Sequence, residues 1–274
     1  MPPGSHDVLM RRRKQDIPAS AGQDVPLPAG PDTPVYCQAR DYASDHVIPL
    51  HRHPDRHQLV YAASGVFVVR AGTGRWVVPS TRAIWMPMGI AHQVSCIDAV
   101  RMRSVYILPE AIADAPATAS AVSVTPLLAA LIQATSTVQV PYARDSRDGR
   151  LMQLILDELS TLPTLPLHLP EPADPRLRAI ERYWDKRPDD GMSLQDWAAR
   201  LDVDARTVQR LCARELGMTF GRWRQQTRLL RALEQLAVGG KVIDVALSLG
   251  YESPSAFTAM FKRRFGQTPT EFFR

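Results

Sequence analysis

The sequence predicts an α+β protein of two domains: an N-terminal β-barrel with covering helices, and a C-terminal all-α domain. Three observations predict this fold class. Short β-branched and aromatic runs fill residues 35–108, and apolar residues at helical spacing follow from residue 125 onwards. Prolines interrupt both patterns between residues 162 and 175. With 274 residues the chain is long enough for each domain to bury a core.

The N-terminal residues 1–34 are rich in Pro, Gly and Ala without periodicity, so we predict that they are disordered. No apolar stretch follows the basic run 11–14, and no apolar run reaches the roughly 18 residues of a membrane span. The three cysteines, Cys37, Cys96 and Cys212, are widely spaced, which is typical of reduced, structural thiols. We therefore expect a cytoplasmic protein with no membrane partner.

The first predicted domain, residues 35–160, begins with strands. Runs at 58–62, 65–70, 75–79 and 103–108 are separated by Gly, Pro or Asp. This spacing predicts a small antiparallel barrel or a double-sheet roll. Two apolar stripes then predict helices that either cover the barrel or pair with a second subunit to form a homodimer. The stripes are Leu127, Leu128 and Leu131, followed by Leu151, Leu154 and Ile155.

Histidines carry the clearest chemistry of this domain. His51 and His53 are two positions apart on a predicted strand, so both point to one face, where His92 from a later strand can join them. Three imidazoles around one point can ligate a metal ion. The pair HxH followed by Pro87-x-Gly89-x-x-His92 resembles the cupin motifs. The resemblance implies that the barrel is cupin-like.

The acidic ligand of the cupin pattern is missing, because Gln58 stands where a Glu is expected. A neutral amide is a poor ligand for Fe or Mn, which argues against redox catalysis, whereas His57 is a further candidate ligand for a softer ion. The predicted site is therefore His51, His53, His57, Gln58 and His92, with Ni, Zn or Cu as candidate divalent ions. Two alternatives stay open: these side chains line a pocket for a small organic effector, or they hydrogen-bond across the barrel.

The segment 161–175 is predicted to be a proline-rich linker, since fixed φ angles and missing N–H groups exclude a helix or a central strand. Residues 176–274 form the second predicted domain. From residue 175 on, 18 Lys and Arg stand against 12 Asp and Glu, while the whole chain carries a net charge of +5. The positive excess therefore lies in the C-terminal part, as expected of a nucleic-acid-binding module.

Two helices joined by a tight turn are predicted at the start of this domain. Ser193 and Asp196 form a capping box for a helix over 194–201, and Asp204 is expected to cap a second helix over 205–216. Arg and Gln side chains, which read guanine and adenine edges, point outward from the second helix. The predicted DNA contacts of this unit are Arg206, Thr207, Gln209, Arg210 and Arg214.

The same pattern recurs after a long helix predicted over 220–236. A short helix over 242–249 ends at Gly250, and Ser253 with Pro254 starts a helix that runs to 265. Small polar residues near its start suit base edges, and basic residues near its end suit the DNA backbone. The predicted contacts of this unit are Ser253, Ser255, Thr258, Ala259, Lys262 and Arg263.

Specific sequence blocks extend across this domain. They include Trp197-Ala-Ala-Arg-Leu, Arg206-Thr-Val-Gln-Arg-Leu and Phe265-Gly-Gln-Thr-Pro. With them, residues 193–273 resemble the DNA-binding domain of the AraC/XylS family of bacterial transcription regulators. Residues 51–108 are similar to the cupin-type effector domain that one subgroup of the family carries.

The resemblance implies a sequence-specific transcription regulator whose N-terminal domain senses a small molecule or a divalent metal ion. Its expected partners are promoter or operator DNA, the effector, a second copy of the chain and, for an activator, RNA polymerase. No catalytic residue is predicted. The alternative is a cupin-type metal-dependent enzyme fused to a DNA-binding domain, which would require a complete metal site.

Overall fold

The computed structural model describes residues 23–24, 30, 33–72, 74–80, 82–161, 164–165 and 168–273. Most of the segment 1–34, predicted to be disordered, lies outside these residues. Within this segment Gln23–Asp24 form a short strand parallel to His51–Arg52, and the Arg52 guanidinium donates to the Asp24 carboxylate at 2.5 Å. The described residues fall into two compact units: 23–72 with 80–165, and 74–79 with 168–273.

Twelve strands are present in the described chain. Seven strands of the first unit, between Val35 and Ile107, bear out the predicted antiparallel strand region, and the strands Gly74–Pro79 and His168–Leu169 belong to the second unit. In chain order the strands are β1 (Gln23–Asp24), β2 (Val35–Tyr42), β3 (Val47–Arg52), β4 (His57–Ser64), β5 (Val66–Ala71), β6 (Gly74–Pro79), β7 (Arg82–Met86), β8 (His92–Cys96), β9 (Val100–Ile107), β10 (Ser120–Ser123), β11 (Thr164–Leu165) and β12 (His168–Leu169).

The first unit contains two sheets. One has the strand order β1-β3-β8-β5, and the other has the order β11-β10-β7-β4-β9-β2. The inner faces of the two sheets meet where His53, just after β3, lies edge-on against Tyr106 of β9, with ring centroids 5.0 Å apart. The double-sheet architecture with helices, followed by a helical unit, confirms the predicted α+β fold class.

The described residues also contain nine α-helices, all of which come after β10 in the chain. The first two lie in the first unit and the other seven in the second. They are α1 (Pro126–Thr135), α2 (Arg147–Leu159), α3 (Pro175–Lys186), α4 (Leu194–Arg200), α5 (Ala205–Leu216), α6 (Phe220–Ala237), α7 (Val242–Ser248), α8 (Pro254–Phe265) and α9 (Pro269–Phe272). None of them combines the length and apolar character that crossing a bilayer demands.

Helices α1 and α2 cover the outer face of the second sheet. Leu131 and Ile155 are buried against sheet residues that include Leu59. Most of both predicted stripes therefore packs onto its own unit, burying apolar surface that would otherwise face water. Leu127 and Leu154 are different, because they stay 49% and 39% exposed.

The proline-rich segment contributes two short strands at sheet edges. Thr164 in β11 pairs with Val122 in β10, and His168 in β12 pairs with Trp76 in β6. Each strand is only two residues long, and an edge position tolerates proline because one side of the strand needs no partner. The segment is thus extended and paired where it is described.

Trp184, Trp197 and Trp223 form the aromatic centre of the second unit, with Trp184 in ring contact with each of the other two. The buried Asp190 carboxylate accepts hydrogen bonds from the indole N–H groups of Trp184 at 2.9 Å and Trp197 at 3.1 Å. These bonds satisfy polar groups that would be costly to bury alone. The centre fixes α3, α4 and α6 around one point.

The caps of the helices agree with the sequence in most places. The capping box of Ser193 and Asp196 opens α4, and Ser253 caps α8 with Pro254 in its first turn. The prediction for Asp204 is wrong in one respect. Asp204 occupies the N-cap position of α5, but its side chain makes no capping hydrogen bond. All three cysteines are free and buried, as expected of structural thiols.

Candidate effector chamber and nucleic-acid interface

A buried histidine triad lies between the two sheets of the first unit. His51 and His92 are register partners on β3 and β8, and their ring centroids are 4.3 Å apart. His53, two positions beyond His51, places its ring 5.8 Å from that of His92. One nitrogen from each ring lies within 4.8 Å of the other two, so small side-chain rotations suffice to bring three ligands to one ion.

Backbone carbonyls orient two of the three rings. His51 Nδ1 lies 2.8 Å from Pro49 O, and His92 Nδ1 lies 3.0 Å from Ile90 O. Because a carbonyl oxygen can only accept, each Nδ1 carries the proton and donates it. The Nε2 lone pairs of both rings are therefore left for a ligand, which is the arrangement that second-shell carbonyls give to metal-binding histidines.

The protonation states of His51 and His92 also suit a ligand site. Burial lowers the pKa of His51 below its usual value. The pKa of His92 is lowered to about 3, mainly by burial and further by the neighbouring His51 and His53. Both imidazoles are thus neutral at physiological pH, and a neutral imidazole is the form that binds metal.

The second sheet supplies the opposite wall of this chamber. Gln58 Nε2 donates to Ser104 Oγ at 3.3 Å and to Tyr106 OH at 3.2 Å, and Tyr106 stacks on Tyr36. Gln58 Oε1 and Tyr36 OH are buried and make no hydrogen bond within the described residues. The chamber, defined by His51, His53, His92, Gln58, Tyr36 and Tyr106, therefore offers neutral donors and acceptors to a polar ligand.

His57 lies outside the chamber, which corrects its place in the predicted site. It precedes Gln58 on β4, so its side chain points to the opposite face of the sheet. There its ring packs on Trp85 with centroids 5.0 Å apart, and its Nδ1 accepts the Met88 N–H at 3.0 Å. Because neighbouring residues of a strand point to opposite faces, His57 and Gln58 do not belong to the same site.

The predicted DNA-contacting residues on α5 differ in their solvent exposure and in the partners of their side chains. Arg206 and Arg210, one turn apart, are exposed, and Thr207 is half-buried. Gln209 is also half-buried, and its Oε1 accepts the Phe220 N–H at 3.4 Å, at the start of α6. Arg214 is exposed and pairs with Glu215 at 2.9 Å. Arg206 and Arg210 are thus the cations of α5 that the structure leaves exposed without a recorded ion pair.

The residues predicted on α8 divide in the same way. The Ser253 hydroxyl accepts the Ala256 N–H at 3.1 Å and so serves as the helix cap. Thr258 is half-buried. The remaining predicted contacts, which are exposed, are Ser255, Ala259, Lys262 and Arg263.

Sequence analysis missed a basic cleft between α6 and α8. Its volume is about 190 Å³, and Arg222, Arg263 and Arg264 line it. Burial lowers the pKa of Arg264, and the charge of Arg222 lowers it further. Like charges held in one cleft favour an anion between them. The signal was present in the sequence as Arg222 and Arg264, but only the crossing of the two helices brings them together.

Comparison with known proteins assigns both units. Residues 33–164 match the family described as AraC-like ligand binding domain, and residues 197–274 match the family described as Helix-turn-helix domain. The chain is 33% identical over 224 residues to the HTH-type transcriptional regulator NimR of Escherichia coli K12, covering 82% of this chain and 81% of that protein. It is 34% identical over 131 residues to the HTH-type transcriptional regulator RipA of Corynebacterium glutamicum, covering 48% of this chain and 38% of that protein.

Among solved structures, the chain is similar to Vibrio cholerae ToxT bound to an unsaturated fatty acid. That alignment has a TM-score of 0.37 and 9% identity, covering 87% of this chain and 94% of the other. The family matches and the NimR relative agree with the resemblance found in the sequence. The chain belongs to the AraC family of helix–turn–helix transcription regulators that carry an AraC-like ligand-binding domain.

Proposed function

We propose that the protein regulates transcription by reading promoter DNA with α5 and α8, under the control of a ligand in the histidine chamber. The observation that carries the DNA assignment is the exposed pair Arg206 and Arg210 on the second helix of a helix–turn–helix unit. Arginine reads guanine bidentately in the major groove. We assign Gln209 a supporting role, because its Oε1 already accepts the Phe220 N–H at the start of α6.

Contacts to the DNA backbone are assigned to the basic residues around the end of α8. Lys262 and Arg263 are exposed there, and Arg222 and Arg264 share the cleft with Arg263. Such cations hold phosphates without reading sequence. Ser255 and Ala259, small and exposed near the helix start, suit close approach to base edges.

A binding selection from random DNA, followed by titration of variants on selected and scrambled sequences, tests these roles. We expect Arg206→Ala and Arg210→Ala each to cost about 1–3 kcal/mol of specific binding and to relax the preference at one or two base positions. Lys262→Ala should weaken binding to all sequences alike. Arg147→Ala, an exposed arginine of the first unit, is the matched control. Equal losses on every DNA sequence for Arg206 and Arg210 would contradict their role as base readers.

For the chamber we propose a late first-row divalent ion, Ni, Zn or Cu, as the sensed ligand or part of it. Support comes from three buried imidazoles, two of which have an Nδ1–H group held by a backbone carbonyl. Without a carboxylate the donor set favours these ions over Mn or Mg. The ion would supply a charged centre with an open coordination position; His51, His53 and His92 would hold it, and Gln58 would face it from the other sheet.

Calorimetry of the full chain with Ni, Zn and Cu salts tests this assignment. The parent should bind, and His51→Ala and His92→Ala should lose binding. His57→Ala should bind as the parent does, because His57 lies on the other face of β4. Affinity should fall at acidic pH, since the ligands must be deprotonated. If the parent does not bind, the chamber takes a small organic effector instead.

The relatives are named as transcription regulators, so the enzyme alternative has no support from them, and we propose no catalytic step. Control of transcription requires that the ligand bind two arrangements of the protein with different affinity. We further propose a homodimer, contact with RNA polymerase if the protein is an activator, and action in the cytoplasm, where promoter DNA is found.

A further inference from the structure

A second cavity lies on the other side of the second sheet, away from the histidine chamber. It has a volume of about 380 Å³ and sits between the outer face of β4, β7 and β10, the segment 111–116, and the C-terminal half of α2. Its floor is made of the buried side chains Leu59, Trp85 and Leu156. Cavities of this size that combine apolar walls with a few polar groups are typical of small-molecule sites.

The rim of this outer cavity is acidic. Asp114 and Asp157, both exposed, line it from opposite walls, and Gln153 donates to Asp157 at 3.1 Å. None of the described residues that line it is Lys or Arg. Two carboxylates at the mouth of this cavity, with no Lys or Arg among its described lining residues, attract a positively charged group.

Trp85 gives the floor of the cavity an aromatic surface in a fixed orientation. Its indole N–H donates to Pro116 O at 2.9 Å, which ties the floor to the segment that closes one side. The apolar surface of the indole suits a flat ring. The preferred ligand is thus an amine that carries a planar apolar body.

We propose that this outer cavity is a second ligand site, specific for a small organic cation with an aromatic or other flat apolar body. The apolar body lies against Trp85 and Leu156, and the ammonium group lies at the rim between Asp114 and Asp157.

Residues that line this site also belong to, or pair with, the segments through which the chain leaves the first unit. Val122 lines the cavity and pairs through its backbone with Thr164 of β11. Leu159 and Ser160, at the end of α2, line it as well. A ligand that fills the cavity therefore packs against both β10 and the end of α2, from which the chain continues to β11.

Three probes that share one ring system and differ in charge test the proposal: tryptamine, the neutral tryptophol and the anionic indole-3-acetate. Calorimetry of the full chain should show that tryptamine binds about tenfold or more tightly than tryptophol, with indole-3-acetate weakest. The Asp114→Asn/Asp157→Asn double variant should bring tryptamine and tryptophol to within about twofold of each other. Asp145→Asn/Asp148→Asn, near the other end of α2, removes the same charge and should keep the preference.

Hydrogen exchange and a blocking variant then locate the site. Tryptamine should slow amide exchange in 111–116 and 153–160, and Ser160→Trp, at the exposed mouth, should abolish binding while the circular dichroism spectrum stays that of the parent. Absence of tryptamine binding, equal affinity for the three probes, or unchanged binding by Ser160→Trp would each overturn the proposal. None of these outcomes bears on metal binding by the histidine triad, because His51 and His92 remain in every variant.

Discussion

Asp174 shows how one side chain can make stability depend on pH. It caps α3 by accepting the Arg176 N–H at 2.9 Å, and the Arg176 guanidinium holds both carboxylate oxygens at 2.9 and 2.7 Å. These contacts, the side-chain bond to Arg176 above all, lower the pKa of Asp174 to about 2. The carboxylate side chain is only 10% exposed. The folded state therefore binds this proton less readily than the unfolded state does.

The contribution of the Asp174 carboxylate to the free energy of unfolding is fully present above the usual pKa of about 3.9. It is lost as the pH falls towards 2. Asp174→Asn keeps a good N-cap residue and removes the charge. We expect it to lower the free energy of unfolding by about 1–2 kcal/mol at pH 7, with the difference shrinking between pH 4 and pH 2. Urea unfolding at several pH values measures this. A difference that does not change with pH would contradict the ion-pair explanation.

At the scale of residues, sequence patterns brought the histidine triad together but did not predict the packing of Gln209. The HxH spacing and His92 gave the triad, because strand periodicity fixes which side chains share a face. The same periodicity excludes His57 from the chamber, but only once it is known which face of β4 points into the chamber. Gln209 could not be placed in advance, since its bond to Phe220 depends on how α5 and α6 meet.

The turn between β4 and β5 depends on a glycine. Gly65 has a φ of +85°, and a Cβ there would clash with the backbone oxygen of Ala99. Gly65→Ala should therefore lower the free energy of unfolding by about 2 kcal/mol or more, from backbone strain and from the clash together. Gly89, with a φ of +77° and open space around it, is the matched control. Gly89→Ala should cost only the strain, and equal losses in a urea titration would rule out the clash.

Among the elements, α1, α2 and α4 to α8 were predicted from the sequence, whereas α3, α9 and the two-residue strands were not. Ser193, Asp196 and Ser253 stand at the expected caps because local side-chain chemistry decides a helix start. Strands β11 and β12 pair at sheet edges within a proline-rich segment. Two-residue strands carry no periodicity of their own, so only the partner strand defines them.

At the scale of the whole molecule, the exposed Leu127 and Leu154 predict self-association. Their neighbours on α1 and α2 are buried against the sheet, whereas these two apolar side chains face solvent. We expect the parent to be a dimer by light scattering at micromolar concentrations, and Leu127→Glu/Leu154→Glu to be a monomer. Leu247→Glu, at an exposed leucine of the second unit, is the control and should remain dimeric. A parent that is monomeric with and without DNA would remove the proposed homodimer.

The buried cysteines make the chain its own reporter of local opening. Cys37 and Cys96 lie in the first unit and Cys212 in the second, and burial raises the pKa of these thiols to about 12, 11 and 11. A thiol-specific reagent reacts with the thiolate, so it can modify them only when the surrounding structure opens. Labelling rates followed by mass spectrometry would therefore give separate opening free energies for the sensing unit and the DNA-binding unit of one unmodified protein. A ligand bound only to the first unit should slow the labelling of Cys37 and Cys96 first. Any slower labelling of Cys212 would then measure how strongly ligand binding in the first unit stabilises the second.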